Sequence, residues 1–114
     1  MLPVELAVQQ QGSEAELLLR VDADLFWFQG HFPEQPLLPG VAQLDWVIHY
    51  GTTLLAPGLQ FASVDNIKFQ QPILPGATLK LTLSWQPEKG LSFQYQRVTE
   101  LGLHPASSGK IRLC

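Results

Sequence analysis

Three residues within a short span could together move a proton: His31, Gly40 and Asp45. His31 lies in "FQGHFPEQPLLPG", Phe28 to Gly40, a stretch holding three prolines and two glycines. Pro33, Pro36 and Pro39 fix their own backbone angles and stiffen that loop. An imidazole near its ordinary pKa can act as a base at neutral pH. Pro39-Gly40 stands directly before a helical pattern, where free backbone N–H groups and the macrodipole favour negative charge. Gly40 has no Cβ, so a ligand carbonyl could approach its backbone closely. Asp45 falls inside the helical pattern between Leu44 and Trp46. A carboxyl in apolar surroundings has its pKa pushed up, which suits a proton donor. The three supply a base, a carbonyl-polarising donor and an acid. Each also has a plainer reading. A lone loop histidine is more often structural than catalytic. Asp45 could be a solvated helix-edge carboxylate or pair with His49 one turn on, and Gly40 could simply shape the start of the helix.

The elements that would position these groups follow from periodicity. Val4, Leu6 and Val8 alternate with Glu5, Ala7 and Gln9, Leu17, Leu19 and Val21 alternate with Glu16, Leu18, Arg20 and Asp22, and "QQGS" between them reads as a hairpin turn. Val41 to roughly Leu55 reads as a helix, with Val41, Leu44, Ile48, Gly51 and Leu55 on one face, stopped by Pro57-Gly58. Phe61 to Phe69 is rich in aromatic and β-branched residues, and "QQPILPG" breaks it. Leu79, Leu81, Leu83 and Trp85 alternate cleanly, "QPEKG" is a turn, and Leu91, Phe93 and Tyr95 begin another strand. A looser "GLHPAS" then precedes a short last strand, "SGKIRL". The order is strand, strand, loop, helix, then about four strands, which is an α+β fold with a helix on an antiparallel sheet. A helix of about fifteen residues is ~22 Å long, and it is largely buried only if the sheet wraps around it.

The chain has 114 residues, 46% of them hydrophobic, no internal repeat and no low-complexity linker, so one domain over residues 1–114 is expected. The net charge of −3 argues against nucleic acid as a partner. Cys114 is the one cysteine, which leaves no intrachain disulfide and no cysteine metal cluster. The start of the chain lacks the basic region of a secretory signal, and no apolar run is long enough to span a bilayer, so a cytoplasmic protein is expected. The seven basic residues are Arg20, Lys68, Lys80, Lys89, Arg97, Lys110 and Arg112, and Val21 to Ile67 has none. Solvated segments of that length usually carry long basic side chains. The middle of the chain is therefore expected to be covered, by its own sheet or by another subunit.

The segment "GHFPEQPLLPGVAQLDW" resembles the active-site segment of the hotdog-fold β-hydroxyacyl-acyl-carrier-protein dehydratases of the FabA/FabZ type. Their pattern is roughly G-H-F-P-x-x-P-x-x-P-G, followed by a helix carrying an acidic residue. The later "IKFQQPILPG" is similar to the family's strand-and-turn F-x-x-P-x-x-P-G. The resemblance runs from about Phe26 to the C-terminus, and the short chain with "PGVAQLDW" looks most like the small ApeI-type dehydratases of aryl-polyene pathways.

The resemblance implies a hotdog fold, an antiparallel sheet wrapped around one long central helix. It implies removal of water from a 3-hydroxyacyl thioester on acyl carrier protein, giving a trans-2-enoyl thioester, in fatty-acid or polyene-type synthesis. His31 takes the place of the catalytic base, Asp45 that of the acid (Asp as in the FabA branch), and Gly40 that of the amide that binds the thioester carbonyl. No metal or organic cofactor is implied. The implied partner chain is a second copy, in a homodimer whose sites take histidine from one protomer and acid from the other. Such a dimer would account for the stretch without basic residues. The carrier protein is acidic in this setting, so Lys68, Lys89, Arg97 or Lys110 could dock it. There are departures. Glu34 stands where many members have glycine, and the longer N-terminal segment of better-known members is missing. His49 stands where glutamine is common, one turn after the acid, and is expected to modulate Asp45. Two rival readings remain. A hotdog thioesterase shares the architecture but usually places its acid differently. A non-catalytic acyl-thioester-binding subunit would be favoured by loss of His31 or Asp45, and both are present.

Overall fold

A computed structural model of the chain describes residues 2–23 and 37–114, so His31 and Glu34 lie outside the described residues. The chain runs β1 (Val4–Gln11), β2 (Glu14–Arg20), α1 (Gly40–Tyr50), β3 (Phe61–Phe69), β4 (Thr78–Gln86), β5 (Gly90–Thr99) and β6 (Gly102–Leu113). One six-stranded sheet has the order β1-β2-β4-β5-β6-β3, with every neighbouring pair antiparallel. This is the expected α+β arrangement, one helix against an antiparallel sheet.

Alternation decides which sheet face meets the helix. Leu79, Leu81 and Leu83 of β4 are fully buried, and their neighbours Lys80 and Thr82 point to the other side. Register carries the apolar rows across the sheet: Leu17 lies opposite Leu81, Leu81 opposite Tyr95, and Leu91 opposite Ile111. Ala42, Trp46, Val47 and Tyr50 of α1 pack into that surface. A sheet covered on one face and solvated on the other reads as this clean alternation.

The helix differs from its expected form in two ways. Its last five residues, Gly51–Leu55, continue as a π-helical turn rather than as α-helix. Its buried face is also rotated. Ala42, Gln43, Trp46, Val47, Tyr50 and Gly51 turn inward, whereas Val41, expected inside, is 69% exposed. Counting apolar residues passes over Gln43 and so selects the wrong stripe. The helix is consequently not wrapped on all sides: Val41, Asp45 and His49 form an exposed row.

Two strands also depart from expectation. "GLHPAS" is not a loose segment but the first half of the twelve-residue β6, which continues through an irregularity opposite Tyr95 and Gln96. The edge strands β1 and β3 are largely exposed, Val4, Leu6, Val8, Phe61 and Val64 included. The stretch without basic residues is therefore only partly covered by the chain's own sheet.

Candidate active site

The start of α1 is anchored on both sides. Leu38 N–H donates to the Ile73 carbonyl at 2.9 Å, tying the incoming turn to the Pro72–Pro75 corner. Pro39, extended at ψ 150°, occupies the N-cap and cannot offer a side-chain cap. Its carbonyl accepts from Ala42 N–H at 3.0 Å and Gln43 N–H at 3.2 Å. The N–H groups of Gly40 and Val41 stand ahead of those bonds, and no described residue accepts from them. The first turn carries no acidic side chain, so the positive end of the helix is not neutralised there.

Beside these donors is a cleft of about 320 Å³ between the Leu37–Gly40 turn and the Phe69–Pro72 corner, with Gln43 also lining it. Its size suits a small apolar ligand chain. The Phe69 ring lies against Gly40, where an added Cβ would come within 2.6 Å of Cζ. Gly40 is thus favoured by a close approach rather than by its backbone angles. A larger hollow of about 430 Å³ lies by the β1–β2 hairpin, among Gln9–Gln11, Glu14–Glu16 and Thr82. It shares no lining residue with the cleft at Gly40 and, among the described residues, holds none of the proposed groups, so the cleft at Gly40 is the better candidate.

Of the other expected residues, His31 lies outside the described residues, and Asp45 and His49 are not gathered there. Asp45 is exposed and does not line the cleft; the described residues give it none of the apolar cover expected. His49 is exposed one turn further on, its ring edge-on to Tyr50 at 5.1 Å. No ion pair joins Asp45 and His49 among the described residues. Of the basic residues considered for docking, Lys110 pairs with Asp65 at 3.9 Å and shares a shallow groove with Lys89. Lys68 lies on the exposed edge strand β3. Arg97 reaches the cleft, donating from Nη2 to Gln71 Oε1 on the cleft wall. Among the described residues no cluster of His, Cys, Asp or Glu is placed to hold a metal.

The structure adds residues that sequence reasoning missed. Phe69 was visible as the aromatic of "F-x-x-P-x-x-P-G", but its place over Gly40 was not. Gln43 and Ser107, the buried polar residues of the described core, bond each other: Ser107 Oγ donates to Gln43 Oε1 at 2.6 Å. The Tyr95 hydroxyl donates to the Gln43 backbone carbonyl at 2.6 Å. Burial holds the Tyr95 phenol well above the ordinary tyrosine range, with Tyr50 and Asp45 adding to it. The Tyr50 phenol is pushed up to about 12 by burial and by Glu5, and its hydroxyl has no hydrogen-bond partner among the described residues.

A helix seated on an antiparallel sheet, with N–H donors at its start that no described residue engages and an apolar cleft beside them, is the architecture expected of a hotdog-fold protein that binds an acyl thioester. The sequence model of the ApeI-like family, described as ApeI dehydratase, matches residues 7–110. The chain belongs to this family of dehydratases. It is 35% identical over 102 residues to the 3-hydroxyacyl-[acyl-carrier-protein] dehydratase FabZ of Tolumonas auensis, covering 77% of this chain and 67% of that one. It spans only 54% of the corresponding Caulobacter vibrioides protein. Two solved structures are similar over 100% of this chain. One, an uncharacterized protein from Erwinia carotovora subsp. atroseptica, is 57% identical with a TM-score of 0.91 over 97% of its length. The other, from the dehydratase heterocomplex ApeI:P of Xenorhabdus doucetiae, is 49% identical with a TM-score of 0.92 over 99% of its length.

Proposed function

We propose that this chain is a cytoplasmic enzyme that removes water from 3-hydroxyacyl groups carried on acyl carrier protein, within sites built from two protomers. His31 takes the C2 proton of the acyl group, and the Gly40 N–H stabilises the charge growing on the thioester oxygen. Asp45 gives a proton to the departing C3 hydroxyl, which leaves as water and a trans double bond remains; the C2 proton stays on His31, and its loss to solvent with reprotonation of Asp45 resets the site. His49, one turn beyond Asp45 on the same exposed row, modulates the acid. Arg97, tied into the cleft wall through Gln71, is the favoured docking cation for the carrier.

One observation carries the two-protomer reading. The helix presents Gly40 to the cleft but turns Asp45 away from it, into the exposed row with Val41 and His49. An acid on that row points away from its own cleft, which supports an acid supplied by a second chain. A second copy related by two-fold symmetry supplies one acid to each of two sites. It would also cover the exposed row and the exposed strand β3 in the region without basic residues.

The test mixes two inactive variants. In a dimer of His31→Ala with Asp45→Ala, one site is doubly broken and the other intact. Random reassortment of equal amounts makes half the dimers hybrids, so activity returns to roughly a quarter of wild type. Mass analysis of the carrier-bound product should show the loss of one water, whereas release of a free acid would indicate a thioesterase. No recovery after verified subunit exchange refutes the shared site. The Xenorhabdus relative belongs to a heterocomplex. An isolated chain that stays monomeric and inactive would therefore indicate a different partner chain in place of the second copy.

A further inference from the structure

We infer that Gln43 is a positioning residue for the Gly40 amide, clamped by one rung of the sheet. The inference rests on the reading that this amide binds the thioester carbonyl. A glutamine in a helix face that packs on a sheet is unexpected, because its amide must find partners away from water. Gln43 is 4% exposed, and every part of it is engaged. Its Oε1 accepts from Ser107 Oγ and its backbone carbonyl from the Tyr95 hydroxyl, both at 2.6 Å. Its Nε2 reaches the Leu38 carbonyl at 3.4 Å, a longer contact to the turn that precedes Gly40. Its own N–H closes the first turn on the Pro39 carbonyl.

The two hydroxyl donors are not independent. Tyr95 of β5 and Ser107 of β6 lie directly opposite each other, so a single rung holds both. The irregularity in β6 makes this possible. Pairing passes from Ser107 to Pro105, which leaves Ala106 and Ser107 both buried. A bulge of this kind re-aims a side chain, here Ser107 toward the helix. The same bulge presents the Ala106 carbonyl to Gln70 N–H at 2.9 Å and Gln71 N–H at 3.1 Å, which fixes the opposite wall of the cleft. Helix start and cleft wall are thus referenced to one stretch of β6. Gln43 follows Gly40 by three residues, about 4.5 Å along the helix axis, so its placement sets the direction of the Gly40 N–H. Ser107 and Tyr95 do not line the cleft, so they act through Gln43, which does.

A polar clamp of purely structural value could be replaced by apolar groups with little loss. The variants Gln43→Met, Ser107→Ala and the double variant Gln43→Met/Ser107→Ala separate the two roles. Gln43→Met leaves the Ser107 hydroxyl buried without its acceptor, and the double variant removes that hydroxyl. Melting temperature should therefore fall in the single variant and recover in the double. The kcat for a 3-hydroxyacyl carrier-protein thioester should stay down about tenfold or more in both, with KM within threefold, because the misplaced donor acts on charge formed in the transition state. Ser107→Ala, the mildest change, should lower kcat in the same direction. A second readout is the infrared carbonyl band of a bound saturated acyl thioester labelled with carbon-13, which cannot react. It should lie below the free value in the wild type and return toward it in the variants. Wild-type kcat together with a wild-type carbonyl band in folded Gln43→Met or the double variant overturns the inference. A wild-type band that does not shift on binding overturns the underlying Gly40 reading instead, and the two failures are distinguishable.

Discussion

Gly40 shows how one missing methyl group serves two purposes. It leaves room for the Phe69 ring, and on the proposed mechanism it lets the thioester carbonyl reach the backbone N–H. Phe69 is 57% exposed, so its ring can swing aside. Gly40→Ala should therefore fold with a stability loss of only about 1 kcal/mol, within the range of ordinary overpacking. On the proposed mechanism its effect on turnover should be far larger, at least about tenfold in kcat/KM, since the methyl group and the Phe69 ring it displaces would disturb the cleft beside the Gly40 amide. Thermal unfolding and steady-state kinetics on the same preparation check this. A stable variant with wild-type kcat/KM would remove the Gly40 amide from the mechanism.

At the level of elements, the decisive contact is between the end of α1 and the sheet. An added Cβ at Gly51 would lie 2.3 Å from Leu91 Cδ2, and Leu91 is fully buried. The helix changes to a π-helical turn at this point. Thr52 Oγ1 also donates to the Ile48 carbonyl there, at 2.7 Å, a side-chain bond that competes with the helical ladder. Gly51 has an ordinary helical φ of −63°, so it is kept for space and not for conformation. Gly51→Ala should destabilise the fold by about 1–3 kcal/mol through overpacking. Gly51→Ala combined with Leu91→Ala should recover part of the clash while adding a cavity elsewhere. Denaturant unfolding of both variants measures the balance. An unchanged midpoint for Gly51→Ala would show that helix and sheet can separate at this point without cost.

The whole molecule offers an alkaline test of its core. The chain has two tyrosines, and burial raises both phenols, Tyr50 to about 12 and Tyr95 well above the ordinary range. The charged form is disfavoured only in the folded state, so it is the unfolded chain that gains by losing protons. The stabilisation is complete below pH 10 and is lost as pH rises from about 10 through 12, by up to ~1.4 kcal/mol per pH unit for each phenol. Native protein should show no phenolate absorbance at pH 10, and both phenolates should appear together with loss of secondary structure at higher pH. A tyrosine half-ionised near pH 10 in folded protein would mean that its hydroxyl reaches water. The same scale governs the exposed helix row and β3. If a second copy covers them, dilution should lower activity and apparent stability together.

Local sequence settled a good part of this protein. The alternation of β4 and β5, the hairpin turn at Gly12, the turn before Gly90 and the helical span to Leu55 were legible, because they depend on neighbours along the chain. The two proline-glycine motifs pointed to the family and to Gly40 in the same way. Other features depended on residues distant in sequence. Which helix face is buried was set by the rows of Leu81, Leu91 and Tyr95 beneath it, and these favoured a stripe containing Gln43 over the more apolar stripe of Val41. β6 ran on through "GLHPAS" because β5 offered it a partner, with a bulge absorbing the irregularity. The outward direction of Asp45 follows from that same rotation of the helix. Periodicity along a chain records how often apolar side chains recur, while burial is decided by what lies opposite, and only tertiary contact supplies that.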